Sequence, residues 1–388
     1  MTRMEIEVEL RKLAIDAPIY NIDDKINEQF GLHRKIYVYG AGFCGKTITE
    51  FLFSYNGGKY KPTYLLDKNA NEKTEYMGVP VYKPDDENLT VAFKESALVI
   101  LAVWLPLRSD FDHLRDYLFT RGYRHIVYPH SMVWRAIVAC ISEEAFNRDI
   151  YSSNINDVIA AYELMADKVS EDTFLYVFRS HTKSDYEVFN NEIPGQCTDL
   201  IQYFDPSVPR KKHINTCIDC GAYKGELLDA LGDYYEIEKY IGFEPNPANY
   251  NILSETANMH SSRIKDIVIL PLGVSDQNGF LGFDLDGINS RICETSEDVI
   301  QTVKLDDVFK GSNDLAIKID IEGAELRALH GAKRIITETK PDLMISVYHR
   351  ISDLWRIPLL LKKWVPEYRF YLRAYSNSTI DTVLHAIT

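Results

Sequence analysis

Several acidic residues and one histidine occupy similar places in the C-terminal half of the sequence, each just after a short run rich in apolar residues. They are Asp219, Glu244, Asp320, Glu322 and His349. A carboxylate can accept hydrogen bonds from hydroxyl groups or bind an ammonium group, and an imidazole can exchange a proton near neutral pH. Ligands of open α/β sheets bind at the carboxyl ends of the strands, so these residues are candidates for one binding or catalytic site.

A glycine turn begins at the first of these acids. Asp219 is followed by Gly221 and Gly225, whose missing side chains let the backbone approach a ligand where the next helix starts. Glu244 comes about 20 residues after this turn, at the end of the next predicted strand, where a carboxylate can accept both hydroxyls of a ribose. The spacing suits NAD and S-adenosylmethionine alike. An acid at the mouth of the turn would repel a pyrophosphate but attract the ammonium group of a methionine, which favours S-adenosylmethionine.

A second glycine turn lies near the N-terminus. Gly40, Gly42 and Gly45 follow a predicted strand, and Asp67 stands at the end of the next one. This is the context that a dinucleotide-binding motif requires. The turn therefore predicts either a second site, for a nucleotide, a nucleotide sugar or NAD, or a scaffold that has lost its ligand, because a fold does not fix a function.

The elements that must position these residues alternate between strand and helix patterns. They predict an α/β fold with two Rossmann-like three-layer domains joined by a helical connector. The predicted segments are a helical lead-in (1–32), a nucleotide-binding domain (33–130), the connector or cap (131–212) and a C-terminal domain (213–388). Only a short loop separates the last two predicted strands, so they must form an antiparallel hairpin. A sheet of seven strands with this terminal hairpin is typical of class I methyltransferases more than of dinucleotide-binding domains.

Six segments of the C-terminal domain carry a family resemblance. They are Asp219–Ala222, Glu244–Pro247, Leu305–Asp307, Lys318–Glu325, Gly331–Ala332 and Ser346–His349. In this order they resemble the FkbM family of S-adenosylmethionine-dependent methyltransferases, over a region from about Gln202 to the C-terminus. The resemblance implies transfer of a methyl group to a hydroxyl oxygen on a sugar or polyketide.

The same resemblance implies a set of cofactor-binding residues. Asp219, Gly221 and Gly225 would hold the methionine end of S-adenosylmethionine, and Glu244 would hold its ribose. The loop from Leu272 to Asp276 would hold the adenine. The implied cofactor site is completed by residues of these same motifs, namely Ala222, Asn246, Gly273, Val274 and Ser275.

A hydroxyl group is a poor nucleophile at neutral pH, so methyl transfer to oxygen benefits from a base. We predict that His349 is this base, with Asp320 orienting the histidine or the substrate and Glu322 beside them; an ordinary histidine at a strand end is the alternative. Asp320, Glu322 and His349 are also ligands that a divalent metal ion accepts, but their spacing is not diagnostic, and no metal ligand is assigned. Glu322 and Glu325 could instead simply open a helix and favour its positive end, and for Glu325 this is the role we predict.

Composition narrows the classes of partner. The 388 residues include 43 basic and 57 acidic ones, giving a net charge of −14, which argues against a protein that binds nucleic acid through its phosphates. The first 13 residues carry charges throughout and the longest apolar run is about 11 residues, which predicts a cytoplasmic protein without membrane insertion. Six scattered cysteines, including the Cys217 and Cys220 pair, predict reduced thiols rather than disulfides or a zinc site.

The sequence therefore predicts an enzyme, an S-adenosylmethionine-dependent O-methyltransferase acting on a sugar, glycan or related small molecule. Two alternatives stay open: an NAD-dependent oxidoreductase or sugar-nucleotide enzyme working through the N-terminal turn, and a non-catalytic protein that binds S-adenosylmethionine. The acceptor and the oligomeric state are left undetermined.

Overall fold

The computed structural model divides the chain into two compact units, and each is an α/β structure. The first comprises Met1–Ile155, Leu175–Glu192 and Ser376–Thr379, and the second comprises Asn156–Phe174, Ile193–Tyr375 and Ile380–Thr388. The structure describes residues 2–16, 35–54, 58–70, 74–103, 105, 108–128, 144, 147, 149–182, 199–210, 214–234, 237–284, 291–292, 298–312, 314–375, 379 and 381–388. Large parts of the predicted lead-in and connector lie outside these residues, and the four predicted segments stay a prediction.

A six-stranded sheet forms the centre of the first unit. Its strands, in chain order, are β1 (Lys35–Tyr39), β2 (Tyr64–Leu66), β3 (Glu75–Tyr76), β4 (Val79–Tyr82), β5 (Ala97–Leu101) and β6 (His125–Val127). The spatial order is β3-β4-β2-β1-β5-β6, and every pair is parallel except β3 with β4. All five residues of β5 are buried, as expected of a parallel strand covered on both faces.

The helices of the N-terminal half follow the apolar spacing of the sequence. They are α1 (Arg3–Asp16), α2 (Phe43–Ser54), α3 (Val91–Ser96), α4 (Arg108–Phe119), α5 (Ile150–Ser153), α6 (Ile155–Tyr162) and α7 (Lys168–Thr182). In α2 the buried residues Gly45, Ile48, Thr49 and Leu52 repeat at three and four positions, which places them on one face. The buried face packs the helix against the rest of the unit, and the helix begins directly after the glycine turn at the end of β1.

A seven-stranded sheet forms the centre of the second unit. Its strands are β7 (Thr216–Cys220), β8 (Lys239–Phe243), β9 (Asp266–Leu270), β14 (Leu315–Ile319), β15 (Asp342–Ser346), β16 (Arg369–Ala374) and β17 (Thr382–Ile387). The order is β16-β17-β15-β14-β7-β8-β9, and β17 alone runs antiparallel to its neighbours. The predicted hairpin is therefore present, formed by β16 and β17, and it places β17 beside β15.

A separate four-stranded sheet also belongs to the second unit. It consists of β10 (Gly273–Val274), β11 (Gly279–Asp284), β12 (Arg291–Ile292) and β13 (Val299–Val303), in the order β10-β13-β11-β12. The sequence predicted one seven-stranded sheet in this part of the chain and not this additional sheet. The main antiparallel partner of β13 is β11, whose segment has two glycines and no strong strand pattern.

Short helices connect the strands of the second unit. They are α8 (Glu226–Tyr234), α9 (Pro247–His260), α10 (Leu305–Val308), α11 (Glu325–Gly331), α12 (Lys333–Thr339) and α13 (Asp353–Trp364), with a 3₁₀ turn at Asp199–Phe204. Cys217 and Cys220 are buried free thiols, as predicted. Among the helices that the structure describes, none combines the length and the apolar character needed to cross a membrane.

Candidate functional site

The second unit contains a cavity of about 450 Å³ at the carboxyl ends of β7, β8, β14 and β15. This is the edge at which open α/β sheets bind their ligands. The cavity is lined by Gln202, Tyr203, Asp219, Gly221, Ala222, Tyr223, Glu226, Leu227, Glu244, Pro245, Asn249, Phe283, Lys318, Asp320, Ile321, Glu322, Tyr348 and Asp381. Of the predicted site residues, the structure thus brings Asp219, Gly221, Ala222, Glu244, Asp320 and Glu322 to one cavity.

The turn after β7 has a backbone that only glycine allows at its first position. Gly221 has φ +81°, and a Cβ atom there would lie 1.9 Å from the carbonyl oxygen of Asp320. The same turn has Tyr223 at φ +48° and Gly225 at φ +96°. The turn is therefore packed against the end of β14, and its backbone forms one wall of the cavity.

Glu244 is fixed at the end of β8 with its carboxylate beside this turn. Its Oε2 accepts a hydrogen bond from the backbone N–H of Tyr223 at 2.9 Å, and its Oε1 accepts one from Asn246 at 2.9 Å. Burial raises the pKa of Glu244. Each carboxylate oxygen can accept more than one hydrogen bond, so Glu244 has the capacity to bind a pair of hydroxyl groups.

Asp219 is buried and already has two partners in the protein. It accepts a hydrogen bond from the Tyr240 hydroxyl at 2.7 Å, and the Nζ of Lys318 lies 3.0 Å from its Oδ1. Lys318 also donates to the carbonyl of Gly221 at 2.6 Å. Burial opposes the charge on Lys318, but the adjacent carboxylate outweighs burial and raises the pKa of the lysine. An ammonium group that binds in the cavity would therefore interact with an Asp219 carboxylate that already pairs with Lys318.

Three carboxylates surround His349 at the ends of β14 and β15. Its Nδ1 lies 2.8 Å from Oε1 of Glu325, and its Nε2 lies 3.6 Å from Asp320 Oδ1 and 3.4 Å from Glu322 Oε2. Glu322 has φ +54°, an uncommon backbone conformation for this residue type. Burial alone would lower the pKa of His349, but Glu325, Glu322 and Asp320 outweigh it and raise the pKa to about 10.

Glu325 corrects an expectation from the sequence. It was predicted to serve only the positive end of a helix, but its side chain is fully buried and binds His349. The same Oε1 also accepts hydrogen bonds from the backbone N–H groups of Ile321, at 3.0 Å, and Gly323, at 3.3 Å. Glu325 therefore fixes both the imidazole and the turn that carries Glu322.

His349 itself is 1% exposed and is not among the residues lining the cavity. Asp320 and Glu322, whose side chains are 22% and 26% exposed, lie between its Nε2 and the cavity space. Asp320 also accepts a hydrogen bond from the Tyr203 hydroxyl at 2.6 Å. The predicted role of His349 as the base stays a prediction, but the carboxylates are the groups that a ligand would touch.

Other predicted cofactor residues are placed away from the cavity lining. The side chain of Asn246 caps α9 by accepting hydrogen bonds from Ala248 at 2.9 Å and Asn249 at 3.4 Å. Gly225 packs against Thr256, where a Cβ would lie 2.7 Å from the Thr256 Cγ2. In the loop predicted to hold adenine, Gly273, Val274 and Ser275 are buried, Leu272 is half-buried and Asp276 is exposed. None of these five residues lines the cavity.

Several cavity residues were missed by the sequence reasoning. Lys318 had a signal, because a lysine inside the otherwise apolar strand Leu315–Ile319 must find a partner. Tyr203 and Asp381 had no sequence signal. Tyr203 lies in a 3₁₀ turn and Asp381 directly before β17, outside the strand ends from which the site was predicted.

The N-terminal glycine turn shows a matching arrangement in the first unit. Gly40 has φ +106°, and a Cβ on Gly45 would lie 1.7 Å from the Gly40 carbonyl oxygen, so α2 starts directly on the turn. Asp67 accepts hydrogen bonds from the backbone N–H of Ala41 at 2.9 Å and of Asn69 at 2.8 Å. A Cβ atom added to Gly42 would meet no atom within 4 Å among the residues that the structure describes. Asp67 thus bridges its own loop and the turn, as Glu244 does in the second unit, while a ligand for Gly40, Gly42, Gly45 and Asp67 stays a prediction.

Comparisons with known proteins find a family model that matches part of the chain. Residues 219–377 match the methyltransferase FkbM domain. A crystal structure of methyltransferase FkbM from Methylobacillus flagellatus superposes with a TM-score of 0.74 at 20% identity, covering 99% of each chain, which shows the same fold. Aeropyrum pernix fibrillarin with bound S-adenosylmethionine gives a TM-score of only 0.31 at 8% identity, covering 49% of this chain and 74% of its own, and supports no further argument. No curated protein matches the sequence.

Proposed function

We propose that the second unit binds S-adenosylmethionine in the cavity beside Glu244 and transfers its methyl group to a hydroxyl oxygen. The observation that carries the proposal is the joint position of the Gly221 turn and the buried Glu244 carboxylate, 2.9 Å from the turn's backbone N–H, inside a region that matches the FkbM domain. This arrangement meets the requirements of a ribose and of an adjoining polar chain.

The residues of the cavity fit the proposed cofactor. Glu244 accepts the ribose hydroxyls, and the backbone of Gly221 and Ala222 lies against the methionine part. Asp219, neutralised in part by Lys318, provides negative charge near the methionine ammonium group. When bound, S-adenosylmethionine supplies an electrophilic methyl group on a sulfonium.

The charge of the cavity indicates the class of acceptor. Among the described residues that line it, Lys318 is the single basic one, against six acids: Asp219, Glu226, Glu244, Asp320, Glu322 and Asp381. A phosphate or carboxylate on the acceptor would meet repulsion in this low-dielectric space. We therefore propose an uncharged or cationic acceptor, such as a hydroxyl of a neutral sugar.

The carboxylates at the end of β14 contact this acceptor. Asp320 and Glu322 accept hydrogen bonds from the acceptor hydroxyl, orient its oxygen and take up its proton as the oxygen–methyl bond forms and the methyl–sulfur bond breaks, which leaves S-adenosylhomocysteine. The cavity walls limit the access of water. His349, held by Glu325, fixes these two carboxylates from behind and is a positioning residue. This arrangement keeps the three predicted catalytic residues together but assigns the direct contacts to the carboxylates.

Thermal-shift measurements with S-adenosylhomocysteine test the cofactor assignment. We expect the ligand to raise the melting temperature of the wild-type chain and to leave that of Glu244→Ala unchanged, because the ribose loses its acceptor. Glu255→Gln is the matched control, since Glu255 is an exposed acid on α9 outside the cavity lining. An equal shift in Glu244→Ala, or a shift with NADH and none with S-adenosylhomocysteine, would contradict the proposal.

A further inference from the structure

The nitrogen Nε2 of His349 is an unusual group within the acidic cluster. It is buried and makes no hydrogen bond with any residue that the structure describes. It nevertheless points at two carboxylate oxygens, Asp320 Oδ1 at 3.6 Å and Glu322 Oε2 at 3.4 Å. A buried polar atom without a hydrogen bond is costly, so a natural structure normally provides a partner for it.

The distances fit donor atoms that share one metal ion. Oxygen and nitrogen ligands lie at about 2.0–2.2 Å from a divalent first-row ion, so neighbouring ligand atoms are separated by roughly 3–3.5 Å. The Nε2–Oε2 distance falls within this range and the Nε2–Oδ1 distance is close to it. Among the described residues, Asp320, Glu325 and His349 offer ligand atoms that lie within 4.8 Å of one another, and Glu322 has to turn its carboxylate toward Asp320 to join them at one ion.

Glu325 supplies the outer support that metal-binding histidines usually have. A histidine that binds a metal through one ring nitrogen generally hydrogen-bonds a carboxylate or carbonyl through the other. Nδ1 of His349 makes this contact with Glu325 Oε1 at 2.8 Å, and two backbone N–H groups hold the same oxygen. The contact fixes the ring so that Nε2 faces Asp320 and Glu322.

The cluster also leaves room for further ligands. Asp320 and Glu322 line the cavity, so the positions of an ion opposite His349 would open toward the cavity space. Lys318, the cation nearest in the lining, is already bound to Asp219 and Gly221.

We propose that Asp320, Glu322 and Nε2 of His349 bind a divalent metal ion, with Glu325 orienting the imidazole. Two carboxylates and one imidazole form a predominantly oxygen ligand set that suits Mn²⁺ among the first-row ions. The geometry of the cluster alone supports this metal site, which does not depend on methyl transfer. If the proposed function also holds, the ion lies at the acceptor end of the cavity.

Titration of the full chain with Mn²⁺, followed by electron paramagnetic resonance and calorimetry without S-adenosylmethionine, tests this site. We expect saturable binding of one ion per chain. Asp320→Asn, Glu322→Gln and His349→Ala should each weaken binding more than tenfold, and Glu325→Gln should weaken it 10- to 100-fold. Glu226→Gln, which removes an acid from the same cavity lining outside the cluster, should leave binding unchanged.

Circular-dichroism melting shows that each variant is folded before its affinity is compared. An imidazolium ion pair alone, without a metal site, predicts no saturable binding, and that result would overturn the proposal. Equal weakening by Glu226→Gln and Asp320→Asn would also overturn it, because it indicates diffuse acidity. S-adenosylhomocysteine binding measured on the same samples separates the two proposals, since either ligand can bind when the other fails.

Discussion

At the scale of single residues, buried charges are the main feature of the cavity, and each has a defined partner. Lys318 binds Asp219, and His349 lies among Glu325, Glu322 and Asp320. Burying a charged group costs free energy unless the group is paired. Removing one partner of a buried pair therefore destabilises the protein, because the other charge stays buried without a partner. Because they lie at the edge where open α/β sheets bind ligands, we predict that these charges belong to a functional site rather than to ordinary core packing.

His349→Ala separates catalysis from cofactor binding. We expect turnover to fall by roughly 100- to 10,000-fold, because Asp320 and Glu322 lose the group that positions them, while the affinity for S-adenosylhomocysteine stays within about twofold. Steady-state kinetics and calorimetry on the same protein check both values. Unchanged turnover would refute any catalytic role for His349, and parallel loss of both properties would indicate a merely structural role.

At the scale of elements, the strand–turn–helix units position the site. The seven-stranded sheet and its terminal hairpin were predicted, because strands such as Leu315–Ile319 and Thr382–Ile387 are mostly apolar and buried along their whole length. The contact between Glu325 and His349 could not be predicted, since it depends on the turn at 321–323 that joins β14 to α11. Spacing along the chain identified the carboxyl ends of the strands but not which side chains face one another there.

The turn after β7 gives a prediction at this scale. Gly221→Ala should reduce stability by about 1–3 kcal/mol and weaken S-adenosylhomocysteine binding more than tenfold, because the added Cβ meets the Asp320 carbonyl oxygen and φ is positive. Gly42→Ala is the matched control in the other glycine turn, where the Cβ meets nothing within 4 Å. Urea denaturation and calorimetry measure the two effects. Equal losses of stability and of S-adenosylhomocysteine affinity in the two variants would contradict the close packing of the Gly221 turn.

The terminal hairpin gives a pH-dependent prediction. His385 on β17 is fully buried; its Nδ1 lies 3.0 Å from Arg210 Nη2 and its Nε2 lies 3.4 Å from the Tyr375 hydroxyl. Burial, together with Arg210 and Arg373, lowers its pKa well below the usual value. The unfolded chain therefore binds a proton near pH 6.5 that the folded chain does not bind.

Stability should accordingly decrease as the pH falls below about 6.5, by up to about 1.4 kcal/mol per pH unit from this group. His385→Gln should reduce the slope by that amount. Urea unfolding at pH 7.0, 6.0 and 5.0 measures it for both proteins. Identical slopes for wild type and variant would show that His385 does not carry the pH dependence.

At the scale of the whole molecule, the two units have related architectures, but only one of them contains a region that matches a known family. Glu244 and Asp67 each bridge a glycine turn and their own loop, yet the family match covers only residues 219–377. The net charge of −14 and the six acids of the cavity agree in sign. From this charge balance we predict that the ligands are neutral or cationic small molecules rather than polyanions.

This charge balance predicts the choice of acceptor. In a panel of monosaccharides incubated with methyl-labelled S-adenosylmethionine, we expect label to enter neutral or amino sugars and phosphate esters to accept at least tenfold less. Scintillation counting after separation of the products measures the transfer. Preferential labelling of the phosphorylated sugars would contradict the proposed acceptor class.

The proposal that the cavity beside Glu244 is the S-adenosylmethionine site can be tested with a crystal structure grown with S-adenosylhomocysteine. We expect electron density in this cavity, with both ribose hydroxyls within hydrogen-bonding distance of the Glu244 carboxylate. Density for the ligand in the first unit beside Asp67, with the cavity at Glu244 free of it, would show that the cofactor site is wrongly assigned.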